Sequence, residues 1–93
     1  MKNRWVVISD ELRMCKADSY ETLIGEDINM LKGGGTFKVD PKKKIIIFSS
    51  DQDEIKLCPL SDLKDIKFQG FFSPLIRKYK WSYSIPTVKT VSF

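Results

Sequence analysis

The side chains that most often do chemistry near neutral pH are scarce in this sequence. Histidine is the usual general base, because its charge changes between about pH 5 and 8, and the chain has none. The acids Asp10, Asp18, Asp40, Asp51 and Asp53 fall in segments that read as turns or a helix cap. No spacing among them singles out a carboxylate pair for acid–base work. Cys15 and Cys58 have no histidine to activate them and form no Cys-x-x-Cys motif. Zinc sites draw on clustered Cys and His, so no metal and no cofactor is expected. The two cysteines read as free, half-buried thiols, since a disulfide needs their Cα atoms within ~7 Å. Gly33-Gly34-Gly35 is not followed by Lys-Ser/Thr and reads as coming after a helix rather than before one. Its amides would then offer no helix N-terminus to a phosphate. These absences argue against a hydrolytic enzyme and for a binding protein.

Chemistry suited to binding is concentrated near the C-terminus. Residues 1–65 have a net charge of −1, whereas residues 66–93 carry Lys67, Arg77, Lys78, Lys80 and Lys89 with no acid. A basic end on a near-neutral body suits an anionic partner. The densest part is Arg77, Lys78, Tyr79, Lys80, Trp81 and, two positions on, Tyr83. Tyr79, Trp81, Tyr83 and Ile85 alternate with Lys78, Lys80, Ser82 and Ser84, the two-residue period of a strand. On such a strand the aromatics leave one face and the cations the other. The aromatics are expected to meet the core, and Lys78 and Lys80 to share the opposite face. Arg77, Lys78, Tyr79, Lys80, Trp81 and Tyr83 are the candidate binding residues.

The rest of the chain must position that segment. Arg4 to Ser9 is rich in β-branched and aromatic residues and reads as a strand. Asp10-Glu11 reads as a turn, and Leu12, Met14 and Ala17 continue as a second, shorter strand. Asp18 with Glu21 three residues later has capping-box spacing. Tyr20, Leu23, Ile24, Ile28 and Leu31 recur at helical intervals, which predicts a helix over about 19–31 with these residues buried on one face. Gly33-Gly34-Gly35 reads as the stop of that helix. Thr36 to Val39, Lys44 to Ser49 and Ile55 to Cys58 read as strands, with a tight turn at Asp40-Pro41-Lys42-Lys43. The run Ile45-Ile46-Ile47-Phe48 predicts burial on both faces and a central place in the sheet. Leu60 to Ile66 reads either as a short helix capped by Ser61 or as a loop entering a strand at Ile66-Lys67-Phe68. Thr87 to Phe93 reads as a last edge strand. The expected fold class is α+β, with an antiparallel or mixed sheet of five to six strands packed on one main helix.

Lys16-Ala17-Asp18-Ser19-Tyr20 opens the expected helix, the triple glycine follows it, and Asp40 with Lys43-Lys44-Ile45 marks the next hairpin. That order of short motifs resembles the Janus family of phosphohistidine phosphatases. In that family a His-Ala-Asp-x-Tyr segment starts a helix, and a Gly-Gly-Gly strand leads into a Lys-x-Ile strand. The resemblance covers about residues 4–50. It puts Lys16 at the position of the family's catalytic histidine. A lysine with an ordinary pKa of ~10.4 is protonated at neutral pH and accepts no proton. Phe48-Ser49-Ser50-Asp51 stands where the family has Tyr-Gly-x-Ser. The resemblance therefore implies a shortened relative without phosphatase activity. A fainter likeness to small bacterial pleckstrin-like domains runs from Lys44 through Leu60-Ser61-Asp62-Leu63-Lys64-Asp65-Ile66. Those domains end in a helix, and the alternation from Tyr79 to Ile85 argues against one.

The 93 residues, 42% of them hydrophobic and 30% charged, fit a single folded domain over 1–93. No apolar run approaches the ~18 residues that span a bilayer, so no membrane partner is expected. The basic start lacks the apolar stretch of a signal peptide, which points to the cytoplasm. The function expected is a small non-enzymatic protein-binding module, a regulator or inhibitor of a larger assembly. Its partner would be a protein with an acidic surface, and pairing with a second copy through an edge strand is also compatible. The alternative is nucleic-acid binding, with cations tracking the phosphate backbone and aromatics stacking on bases. The third reading is a degenerate phosphohistidine-phosphatase-like protein.

Overall fold

The computed structural model describes residues 1–64 and 78–84. The elements are β1 (Lys2–Ile8), β2 (Glu11–Ala17), α1 (Glu21–Ile24), a 3-10 turn (Ile28–Met30), β3 (Leu31–Asp40), β4 (Ile45–Ser50), α2 (Leu60–Lys64) and β5 (Lys80–Ser84). The strands form one mixed sheet in the order β2-β1-β3-β4-β5. All neighbours are antiparallel except β4 and β5, which run parallel. The α+β class and the five-stranded mixed sheet are as expected. The one main helix is not.

The expected helix over 19–31 is a single turn, Glu21–Ile24, ended by Gly25 at φ 59. The chain then makes a 3-10 turn, and Leu31 already belongs to β3. A helix of about 13 residues is marginal without a buried face, and a left-handed glycine at its middle breaks it. Tyr20, Leu23 and Ile24 are buried, but Ile28 is 58% exposed. The N-cap is Tyr20, with no side-chain cap bond, so Asp18 does not cap the helix. The 3–4 spacing is thus met by one turn of helix and the start of a strand, not by a continuous face.

The triple glycine lies inside β3 rather than at a helix stop. A Cβ on Gly33 would meet the backbone of Cys58, one on Gly34 the carbonyl of Trp5, and one on Gly35 the carbonyl of Ser49. Gly33 also has φ 151, which side chains avoid. At Gly33, and in part at Gly34, the space is taken by the segment after β4. Ile55 packs with the cluster of Val6, Ile8, Tyr20, Leu23 and Ile24, whereas Cys58 and Leu63 belong to the cluster of Trp5, Phe37, Ile46 and Phe48. These clusters lie on opposite faces of the sheet, because Val6 and Trp5 are consecutive on one strand. The chain therefore passes from one face to the other beside Gly33 and Gly34, and the Gly34 N–H donates to the Lys56 carbonyl at 3.1 Å. Ile55 to Cys58 is this crossing, not the expected strand. Of the two readings for Leu60 to Ile66, the short helix is present at Leu60–Lys64, but Ser61 lies inside it and does not cap it. The expected strands at 66–68 and 87–93 lie outside the described residues.

The strand buried on both faces is β1, with Trp5, Val6 and Val7 fully buried and Ile8 nearly so. β4 is interior, as its apolar run suggested, but only Ile46 and Phe48 are buried, and Ile47 is 38% exposed. One face of β4 is open, which corrects the expectation of burial on both. Arg4 is buried at 6% exposure and fully engaged. It donates to the carbonyls of Ala17 (2.9 Å) and Asp18 (3.0 Å), pairs with Glu54 (3.2 Å) and sits 4.6 Å over the Tyr20 ring. Tyr20 in turn donates to Asp51 at 2.7 Å. Arg13 donates to the carbonyls of Leu23 and Ile24 and pairs with Asp27 at 2.8 Å, satisfying the open end of α1. These two arginines hold the 17–27 excursion against the sheet.

Candidate functional site

β5 is a strand because it lays alternate aromatics on the core. Its parallel register with β4 pairs Trp81 with Ile46 and Tyr83 with Phe48. These sit in cross-strand rows that continue to Val39 and Phe37 on β3. Trp81 meets Phe48 edge-on at 5.9 Å, and Tyr83 meets Trp5 edge-on at 5.4 Å. Tyr83 also donates to the Cys58 carbonyl at 2.9 Å. Burial pushes its hydroxyl up to about 12, with the nearby Cys58 adding to the shift. Tyr79, Trp81 and Tyr83 are half-buried against the main cluster. The aromatic set therefore faces the core, as the alternation suggested. It is not presented as a stacking surface.

The other face is open. Registered partners point the same way, so Thr36, Ser49 and Ser84 form one row, Lys38, Ile47 and Ser82 a second, and Asp40, Ile45 and Lys80 a third. Lys38, Ile47, Lys80, Ser82 and Ser84 are exposed. The β3–β4 hairpin carries Lys42, Lys43 and Lys44, all exposed, and Lys42 reaches the cleft beside Ile47. The Asp40 carboxylate is turned to the backbone, accepting from the amides of Lys42 (3.0 Å) and Lys43 (3.1 Å). Lys44 closes the loop at φ 54. The Lys80 amide donates to the Lys44 carbonyl at 3.0 Å, which docks the start of β5 beside the hairpin. Next to Ile47 an open cleft of ≈ 420 Å³ is lined by Lys38, Val39, Asp40, Pro41, Lys42 and Ile47. Lysines from two distant stretches thus form one pole around an exposed isoleucine.

Of the candidate residues, the fold places Lys80 on this open face and Tyr79, Trp81 and Tyr83 on the core side. Lys78 is exposed but precedes the strand, which begins at Lys80, so it does not share the ladder with Lys80 as expected. Arg77 lies outside the described residues. Sequence reasoning missed Lys38, Lys42, Lys43, Lys44 and Ile47. The signal was present in the Pro-Lys-Lys-Lys turn, but the acids elsewhere in 1–65 cancelled it in the charge balance. Lys16 is exposed on β2.

Cys15 and Cys58 are both free, and Cys58 is fully buried. Burial first, and then Asp62, pushes the Cys58 thiol up to about 11, against the opposing pull of Lys32 and Lys56. Among the described residues no group of three or more His, Cys, Asp or Glu is gathered to hold a metal ion. No helix among them is long and apolar enough to cross a membrane. Comparison with known protein families, curated proteins and solved structures finds no match to this chain.

Proposed function

We propose that this protein is a non-enzymatic binding module, a regulator or inhibitor of a larger assembly, whose lysine pole docks on an acidic surface of a partner protein. The observation that carries the reading is Ile47, 38% exposed at the centre of the open face and bordered by Lys38, Lys42 and the row that ends in Lys80. An apolar anchor ringed by cations suits a protein surface, where the apolar centre supplies affinity and the charges supply steering and register. A second copy of the chain is a poorer occupant, because pairing through β5 would bring two lysine poles together.

The second reading is a nucleic acid held by its phosphates, which the lysine density favours. The inward-facing aromatics leave it without base stacking, so it would be a backbone contact only. The third reading, a phosphatase relative without activity, rests on the motif order around Lys16. It would leave the same lysine pole as the binding surface.

Affinity capture on the immobilised chain, from a nuclease-treated extract of the native host, separates the first two. The protein-binding reading expects partners that survive nuclease and elute with salt. Loss of all captured material on nuclease treatment would transfer the assignment to nucleic acid.

A further inference from the structure

A second concavity lies at the other end of β3, with ~20 Å of strand between Lys32 and Lys38. It has a volume of ≈ 390 Å³ and opens to solvent. One wall is the 3-10 turn with Asn29 and Met30, continuing to Lys32. The other is the crossing segment and α2, with Lys56, Pro59 and Asp62. Its size is at the lower end of the ~300–1,000 Å³ typical of small-molecule sites.

The lining divides into a polar and an apolar part. Lys32 Nζ lies 3.6 Å from Asp62 Oδ1, so that pair is largely self-compensating. Lys56 is exposed, and among the described residues no carboxylate pairs with it. The Asn29 side chain, also exposed, adds a neutral donor. Met30 is 58% exposed, and Ile28, Leu57 and Leu60 on the same two segments are 58%, 38% and 36% exposed. Of these, Met30 lines the cleft itself, together with Leu31 and Pro59, whereas Ile28, Leu57 and Leu60 are only neighbours of the lining residues in sequence. An exposed apolar side chain beside a lysine with no carboxylate partner suits a ligand that has both an apolar and an anionic part.

We propose that this cleft binds a small amphipathic organic anion, a carboxylate or sulfonate carrying an apolar body. The charged end meets Lys56 with Asn29 beside it, and the body covers Met30 and Pro59. The site is separate from the lysine pole and stands whether or not that pole binds a protein.

The test uses the full chain and 8-anilinonaphthalene-1-sulfonate as a fluorescent probe. Saturable binding at one site is expected, displaced by octanoate but not by octanol or octylammonium. Lys56→Glu should weaken it by at least about fivefold, the order expected when an attractive charge pair near water becomes repulsive. Lys42→Glu with Lys43→Glu should leave it unchanged. The Lys56 carbonyl, not its side chain, bonds to Gly34, so the fold is expected to survive, and far-UV circular dichroism checks this. Backbone amide shifts of the wild type on adding octanoate provide a readout that needs no variant, and they should centre on residues 28–32 and 56–62. Non-saturable binding, equal displacement by octylammonium, equal affinity in Lys56→Glu, or shifts centred on the lysine pole would each overturn the assignment.

Discussion

Replacing Gly35 by alanine tests why three glycines stand in an interior strand. The added Cβ would run into the Ser49 carbonyl and come within 3.1 Å of the Ser50 Cα. Both are backbone atoms held by the β3–β4 register, in which Gly35 faces Ser50. The obstacle is therefore not a flexible side chain that can turn aside. Overpacking of this kind costs about 1–3 kcal/mol, and a backbone obstacle belongs at the upper end. Restricting the unfolded chain returns only ~0.4–1 kcal/mol. The net loss is about 2 kcal/mol, against a total stability of roughly 5–14 kcal/mol for a chain of this size. Urea unfolding followed by tryptophan fluorescence reads it directly. With a slope of ~1–1.5 kcal/mol per molar urea, the midpoint should fall by about 1.3–2 M. Gly34→Ala should behave alike, because its Cβ would meet the Trp5 carbonyl. A helix stop would need only one left-handed glycine, and the other two would tolerate alanine. Wild-type midpoints for Gly34→Ala and Gly35→Ala would refute the close-approach argument.

The short α1 makes a paired prediction. Leu23→Ala should cost about 2–5 kcal/mol as a core truncation, whereas Ile28→Ala should stay within about 0.5 kcal/mol as an exposed change; equal losses in urea would restore the continuous helix. Alkaline stability should reflect Tyr83. Its pKa is raised in the folded state to about 12 from an ordinary value of 10.0, so the unfolded chain loses the proton first and stability falls as pH rises from about 10 to 12. Cys58, raised to about 11, starts this decline nearer pH 9. Tyr83→Phe should flatten part of the decline in pH-dependent urea midpoints, while losing roughly 1 kcal/mol at neutral pH with the bond to the Cys58 carbonyl; an unchanged alkaline slope would show that the hydroxyl is not buried as described.

What was legible in the sequence was what a two-residue period encodes. The strands β1, β2, β4 and β5 follow from alternation or from short apolar runs, and so does the inward turn of Trp81 and Tyr83. The helix over 19–31 was misread because apolar spacing is the same for a helical face and for one turn of helix followed by a strand. Gly25 at φ 59 decides between them, and its conformation is not written in its identity. The glycines of β3 were misread because their reason is close approach by other segments: the crossing chain at Gly33 and Gly34, the β1 backbone at Gly34 and the β4 backbone at Gly35, none of them adjacent in sequence. The lysine pole was half visible. Lys80 was found through local charge density, but Lys38 and Lys42 to Lys44 join it only through the parallel pairing of β4 with β5, which no local pattern announces.

The central claim is that hairpin and β5 lysines form one binding surface. It is tested most directly by measuring the affinity of the captured partner for three proteins: wild type, Lys42→Glu with Lys43→Glu, and Lys38→Glu with Lys80→Glu. Both double variants should fold as the wild type does, since these side chains are exposed. Each should weaken binding by about tenfold or more, chiefly through slower association at low salt. Undiminished affinity in either double variant would contradict a shared surface.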